Sequence, residues 1–371
     1  MTDRAALGPA DVDDDRLAVM VEALLGEPAR VVATRVEPVA HEIPALTTVG
    51  RHWVHVTAET AAGERDVRLF VKHVQAWHHS PFFASVPPEA RQMAAASYPW
   101  RTEGAVYRSD LCDRLPAGLS MPRALAVVDL EPDAQALWLE DVTAPPAPWD
   151  DARYARAARL LGRLAASPAV APLADVGAFD WSVLHYVHGR LAPDVVPRLL
   201  ADDAWAAPEV AGAFEPALRT RLREAAGRVA DLGAELAALP RTTSHGDACP
   251  NNLLPSTDPD GFVLVDFGFW LRQPVGFDLG QLLAGEVQLG RDRCDVAALA
   301  ARDEACLAAY VAGLADEGLD LDPALVRRAH AVQLFLFAGV SSVPEGPVTA
   351  QQAEARAALA THSLGLLALT D

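Results

Sequence analysis

Apolar and polar positions change rhythm near residue 143. Before it, VVATRVEPV (31–39), LTTVGRHWVHVTAE (46–59) and RDVRLFVKHV (65–74) are rich in Val, Thr and aromatics and predict strands. Pro38, Pro44 and the Ala-Gly-Glu turn at 62–64 separate them. ALAVVDLE (124–131) and QALWLEDV (135–142) predict two more strands, joined by a turn at Pro132-Asp133. Between these groups, RTEGAVYRSDLCDRL (101–115) predicts a helix stopped by Pro116 and Gly118. Five strands and one helix make a small, mainly antiparallel α+β lobe.

TAPPAPWD (143–150) lacks periodicity and is rich in Pro, as a linker or hinge is. Beyond it the pattern turns helical. Asp150 or Asp151 can cap ARYARAARLLGRLAAS, whose apolar stripe runs through Ala157, Leu160, Leu161 and Leu164. Similar stretches follow at 214–239, 297–315 and 323–340, and near 350–368. The expected division is therefore an amino-terminal lobe over 1–142 and a larger helical lobe over 143–371. A length of 371 residues suits two such units.

Charge and composition narrow the partners. A formal net charge of −19 argues against nucleic acid, whose phosphates are bound by basic surfaces. The same charge would steer a cationic substrate, although acidic composition also serves solubility alone. No apolar run reaches the roughly 20 residues of a membrane span. The opening MTDRAALGPADVDDDR has neither a basic nor an apolar leader region. Cys112, Cys249, Cys294 and Cys306 lie far apart, without metal spacing. Unpaired thiols suit a reducing cytoplasm.

Ser244-His245-Gly246-Asp247-Ala248-Cys249-Pro250-Asn251-Asn252-Leu253-Leu254 is the most informative stretch. After the turn STDPDG (256–261) comes the apolar strand Phe262-Val263-Leu264-Val265-Asp266-Phe267-Gly268. Phosphoryl transfer asks little covalent chemistry of a protein. It needs positioning, a carboxylate beside the attacking hydroxyl, and ligands for Mg²⁺. Mg²⁺ prefers oxygen donors, which Asn and Asp supply. On this reading Asp247 takes the proton of the substrate hydroxyl, while Asn252 and Asp266 hold the metal. The competing reading is a tight hairpin bounded by turn-forming Asp, Asn, Pro and Gly.

His-Gly-Asp, Asn five residues after the Asp, and an Asp on the next strand resemble the signature of aminoglycoside phosphotransferases and choline-kinase-like families. Val265-Asp266-Phe267-Gly268 is similar to the metal-binding motif of protein kinases, which share that fold. The resemblance runs from the Lys72 strand to the terminal helices. It implies a bilobal protein-kinase-like α+β fold and use of ATP or GTP with Mg²⁺. Lys72, ending Leu69-Phe70-Val71-Lys72, is similar to the strand lysine that contacts nucleotide phosphates in kinases. Glu103 is then its ion-pair partner, with Glu89 as the alternative. By themselves these residues read as an edge-strand charge and a first-turn helix acid. Leu137 to Val142 resembles the inter-lobe hinge, so main-chain groups at Glu140, Asp141 and Val142 are expected to meet the nucleobase. Asp278, in Pro274-Val275-Gly276-Phe277-Asp278-Leu279, resembles the acid that braces the catalytic loop, with a helix N-cap as its rival. His245 is expected to pack rather than react.

Three departures stand out. The first hairpin, Val36 to Gly50, has no Gly-x-Gly-x-x-Gly loop, so a glycine-poor turn such as HEIPALTT must serve; this counts against a protein kinase. The stretch AWHHSPFFASVPPEARQMAAASYPW is long and aromatic, either a lid or a helical insertion. His73, His78 and His79 in this region find no partnering cluster in the sequence, so zinc is not expected. Cys249 stands where many relatives carry His. The expected activity is transfer of a nucleotide γ-phosphate to a hydroxyl of an antibiotic or other natural product, for resistance or self-protection. A housekeeping kinase of a sugar, amino-sugar or choline-like metabolite is the rival, and a nucleotide-binding pseudokinase the third reading. The acceptor is expected in a cleft of carboxyl-lobe helices, which vary freely.

Overall fold

Six strands form one sheet in the amino-terminal part of the computed structural model, which describes residues 2–40, 45–143, 147–292 and 295–371. They are β1 (Thr2–Asp3), β2 (Ala29–Pro38), β3 (Thr48–Thr60), β4 (Gly63–Gln75), β6 (Ala124–Leu130) and β7 (Ala134–Glu140). A short β5 (Leu119–Ser120) lies outside this sheet. The order is β1-β2-β3-β4-β7-β6, antiparallel except where β1 joins β2. All five predicted strands are present. Part of the HEIPALTT turn (His41 to Pro44), part of the Pro-rich linker (Ala144 to Pro146) and Cys294 lie outside the described residues.

β4 is an interior strand, so Lys72 is not an edge charge: it pairs with Arg51 on β3 and Leu137 on β7. Period-two alternation puts Leu69 and Val71 on the face that packs beneath the helix Asp14–Leu25, with Val54, Val56 and Trp138. That helix was not among the predicted elements. Its signals are nevertheless local: Asp13 accepts from Arg16 N at 2.7 Å, Leu17, Met20 and Val21 are buried, and Gly26 closes it at φ 72°. The helix predicted over 101–115 is shorter, Thr102–Arg108, with a separate turn at Leu111–Asp113. Ser109 turns extended (ψ 176°) and its hydroxyl donates to the Val106 carbonyl at 2.7 Å, which ends the helix.

The remainder is mainly helical. Asp150 caps Asp151–Ala166 by accepting from Arg153 N at 2.8 Å; Ala157, Leu161 and Leu164 are buried and Leu160 half-buried. The 214–239 stretch divides at Gly227 and Arg228 into Pro216–Ala226 and Val229–Ala238. Phe277–Gln288, Val296–Asp316, Pro323–Leu334 and Ala350–Thr370 complete the packing around the main core. Four short strands interrupt them: β8 (Arg241–Ser244), β9 (Leu253–Pro255), β10 (Phe262–Leu264) and β11 (Leu271–Pro274). β9 and β10 form the expected hairpin, β5 runs parallel to β10, and β8 pairs with β11.

Three of these helices share a buried polar knot. The Asp303 carboxylate lies 2.8 Å from His330 Nε2 and 2.5 Å from His362 Nε2, and all three side chains are buried. Burial alone would raise the Asp303 carboxyl, but the two histidines outweigh it and hold it well below the usual carboxylate range. A carboxyl depressed by folding stabilises above its unfolded value of about 4, and that contribution fades as pH falls towards the folded value. Urea unfolding across an acid pH series should therefore show a loss beginning near pH ~4. Asp303→Asn should be less stable at neutral pH and lose less on acidification. Identical acid slopes in the two proteins would overturn this.

Candidate active site

The site begins with one lysine that two carboxylates share. Lys72, 5% exposed, donates from Nζ to Glu103 Oε2 at 2.6 Å and to Asp266 Oδ1 at 2.8 Å. The first bond ties β4 to the helix Thr102–Arg108; the second reaches across to the segment after β10. Glu103, not Glu89, is the partner, and Glu89 is exposed in the turn Pro88–Ala90. Asp266 stands two residues beyond β10 in a left-handed conformation (φ 65°, ψ 64°). There its other oxygen meets Arg51 of β3 at 3.5 Å.

Opposing effects set the charges. Burial disfavours the Lys72 ammonium, but Asp266 and Glu103 together raise its pKa. Burial also opposes ionisation of Asp266, yet Lys72, followed by Arg51, brings that carboxyl down to about 2. Glu103 moves up, because its burial and the nearby Asp266 outweigh the attraction of Lys72. One ammonium between two carboxylates cannot favour both equally.

The loop between β8 and β9 is held from beneath by Asp278. Its oxygens accept from Ser244 Oγ (2.8 Å), His245 N (2.9 Å) and Gly246 N (2.9 Å). Gly276 caps the helix Phe277–Gln288, so Asp278 braces the loop and the N-cap reading is set aside. Gly246 sits at φ 80°, where a side chain would strike the Phe269 carbonyl. His245 packs on Phe267, with Nε2 3.1 Å from the Val265 carbonyl oxygen. The loop thus presents Asp247, half-buried, whose Oδ2 and main-chain oxygen accept from Asn252 Nδ2 at 2.9 and 2.8 Å. Burial, then the charge of Asp266, pushes the Asp247 carboxyl up. Val265 N donates to the Asn252 carbonyl at 3.1 Å, setting Asn252 beside the chain that leads to Asp266.

The structure thus brings Lys72, Glu103 and Asp266 together, and joins Asp247 to Asn252. Glu140 closes β7, and its N–H donates to the Arg123 carbonyl at 3.0 Å. Asp141 is turned towards β4, where Arg68 and Thr143 hold its Oδ2 at 2.8 and 2.7 Å. Neither Arg51 nor Tyr98 was singled out in the sequence. Tyr98 belongs to the long aromatic stretch, which folds as short helical turns on itself through Trp77, Phe83 and Tyr98. Tyr98 also packs edge-on against Phe269, 5.3 Å between centroids, which carries the stretch to the Asp266 turn. Burial, then the Asp247 charge, pushes its phenol up to about 12. His78 and His79 do acquire a partner, since their Nε2 atoms lie 3.6 and 3.9 Å from Asp133 Oδ2, with Arg101 also on Asp133. The Cys249 thiol is pushed up to about 12 by burial and then by Asp247.

A sequence model described as the phosphotransferase enzyme family matches residues 73–316, well over half of the chain. The chain belongs to this family. It is accordingly a phosphotransferase acting on an alcohol group. An aminoglycoside phosphotransferase from Alicyclobacillus acidocaldarius shares the fold: TM-score 0.50, 13% identity, covering 90% of this chain and 91% of that one. The α+β, kinase-like architecture expected from the motifs is thereby shown. An amicoumacin kinase in complex with AMP-PNP, Ca²⁺ and Ami is similar at TM-score 0.47 and 11% identity, covering 89% and 88%. A choline/ethanolamine kinase family protein from Mesorhizobium loti reaches TM-score 0.39 and 16% identity, covering 85% and 89%. No curated protein matches the chain by sequence.

For this phosphotransferase, the burial of Lys72 turns a positioning question into one of stability as well. Lys72→Met would strand two carboxylates, one of them 3% exposed, and should cost roughly 3–5 kcal/mol. Adding Glu103→Gln removes one stranded charge, so the double variant should lose less than the sum of the singles. Urea denaturation of the four proteins reads the coupling directly; strict additivity would mean that the two side chains do not act as a pair.

Proposed function

We propose that the protein transfers the γ-phosphate of ATP or GTP, with Mg²⁺, to a hydroxyl of a small molecule. The observation that carries this is the Lys72 ammonium held between Glu103 and Asp266 next to the Asp247–Asn252 loop. The acceptor oxygen attacks the γ-phosphorus, its new O–P bond replacing the bond to the bridging oxygen, and nucleoside diphosphate leaves. Asp247 receives the hydroxyl proton. Lys72, fixed by Glu103, positions the phosphates. The donor chemistry of Asn252 and Asp266 fits Mg²⁺: both offer oxygens, and the Val265 hydrogen bond sets them side by side. When bound there, Mg²⁺ would offset charge on the transferring group.

We take residues 1–142 as the nucleotide side and 143–371 as the catalytic and acceptor side. In support, Leu17, Val54, Val56, Leu69, Val71 and Trp138 belong to a core cluster of their own, β7 ends at Glu140, and the next helix starts at Asp151. Base recognition falls to main-chain groups of Glu140, Asp141 and Val142, other than the Glu140 N–H engaged by Arg123. The acceptor is read as an antibiotic or other natural product, and the role as resistance or self-protection. The flat pair Tyr186–Phe337 in the helical part, 4.3 Å between centroids, supports an acceptor with an extended apolar portion. A cationic acceptor draws support only from long-range steering by the −19 charge. A cytoplasmic setting is supported by Cys112, Cys249 and Cys306, all free thiols. Among the described residues no helix is long and apolar enough to cross a membrane.

Nucleotide consumption measured across a panel of hydroxylated antibiotics, sugars and amino alcohols tests the proposal. Stimulation by one class, with a phosphorylated product by mass, is expected. Nucleotide binding without transfer to any of them would return the chain to the pseudokinase reading.

A further inference from the structure

His78 and His79 stand together on the turn Trp77–His79, just after β4 and at the start of the aromatic stretch. Successive residues of such a 3₁₀ turn ordinarily point about 120° apart. Here the two imidazoles converge, with ring centroids 4.1 Å apart and planes tilted by 44°. They meet Asp133, in the turn between β6 and β7. Its Oδ2 lies 3.6 Å from His78 Nε2 and 3.9 Å from His79 Nε2. Sequence spacing offers these histidines no third ligand; strand pairing supplies it. β4 and β7 run antiparallel with Gln75 opposite Ala134, and Ala76 N donates to the Asp133 carbonyl at 2.8 Å. The main chain therefore holds the two turns together before any of the three side chains acts.

The separations are the informative part. A hydrogen-bonded pair would close to about 2.7–3.2 Å, and both distances exceed that. Two ligands of one tetrahedral Zn²⁺, each about 2.0–2.1 Å from the ion, stand about 3.4 Å apart. One ligand atom from each of the three residues lies within 4.8 Å of the other two, so a small closing movement lets one ion reach all three. The other carboxylate oxygen, Oδ1, faces Arg101 at 3.4 Å, which orients Oδ2 towards the histidines. Side-chain exposures of 38, 34 and 37% for His78, His79 and Asp133 leave the group open to an entering ion and its water.

We infer that His78, His79 and Asp133 form a binding site for one divalent transition-metal ion of the zinc type, with water completing the coordination. Two imidazoles and a carboxylate suit Zn²⁺, Co²⁺ or Ni²⁺, whereas Mg²⁺ favours oxygen donors alone. The site thus differs in chemistry from the Asn252–Asp266 pair and rests on nothing in the phosphotransfer reading. Its ligands come from two separate turns, so a bound ion would fasten the aromatic stretch to the β6–β7 turn. Through Tyr98 on Phe269 the same stretch reaches the Asp266 turn.

Zn²⁺ titration of the untagged, metal-stripped full chain in excess Mg²⁺, read by competition with a chromophoric chelator, tests this. One equivalent should bind with micromolar affinity or tighter, and should raise the melting temperature. His78→Ala, His79→Ala and Asp133→Asn should each weaken Zn²⁺ binding by about tenfold or more. Without zinc the variants should melt with wild type, because the bond from Ala76 N to the main-chain carbonyl of residue 133 remains. Glutamine replaces alanine at either histidine if the alanine variant does not fold. Binding only at millimolar Zn²⁺, displacement of the ion by Mg²⁺, or affinity that survives all three substitutions would overturn the inference.

Discussion

Asp247→Asn is expected to lower kcat by about 10²–10⁴-fold while nucleotide binding and the fold are retained. The substitution keeps the size of the side chain and an oxygen able to accept from Asn252 Nδ2, which also holds the main-chain oxygen of residue 247 at 2.8 Å. Asp278 fixes the loop through Ser244, His245 and Gly246, none of which the change touches. What is lost is the charge and the capacity to take the hydroxyl proton. Coupled measurement of nucleoside diphosphate release gives kcat, and calorimetry gives the nucleotide Kd. Unchanged turnover in a folded variant would remove Asp247 from the mechanism.

Asp266→Ala should erase the increment that Mg²⁺ adds to nucleotide affinity, about 10–100-fold by the usual strength of one charge-assisted contact. Lys72 and Arg51 currently spend positive charge on Asp266, at 2.8 and 3.5 Å. Removing that carboxylate also takes a negative charge away from incoming phosphates. Without metal, the variant should therefore bind nucleotide no more weakly than wild type. The informative quantity is the ratio of Kd with and without Mg²⁺, which should collapse towards one. Asn252→Ala should raise the Mg²⁺ requirement, and should also lower kcat, because its amide holds Asp247 through two hydrogen bonds. Calorimetric titrations with and without Mg²⁺ on all three proteins decide this. A ratio left intact by Asp266→Ala would sink the metal assignment.

Strand alternation, helical stripes, the cap at Asp150 and the His-Gly-Asp to Asn spacing are all written within a few neighbouring residues. They are enough to expect the strand-rich and helical parts and the β9–β10 hairpin, and to single out Asp247, Asn252 and Asp266 as candidates for phosphoryl transfer. The helix Asp14–Leu25 is equally legible in its cap and closing glycine. Tertiary structure alone decided that Glu103 rather than Glu89 meets Lys72, across 31 residues, and that Asp266 shares the same ammonium across 194. It also placed Lys72 on an interior strand, where its loss is a stability matter as well as a chemical one. Arg51, Tyr98 and the Asp303 knot belong to the same class. Each depends on which side chains packing brings into contact, and burial then fixes the energy, since an unpaired polar group costs far more inside the protein than at its surface. Periodicity carries no record of those distant neighbours.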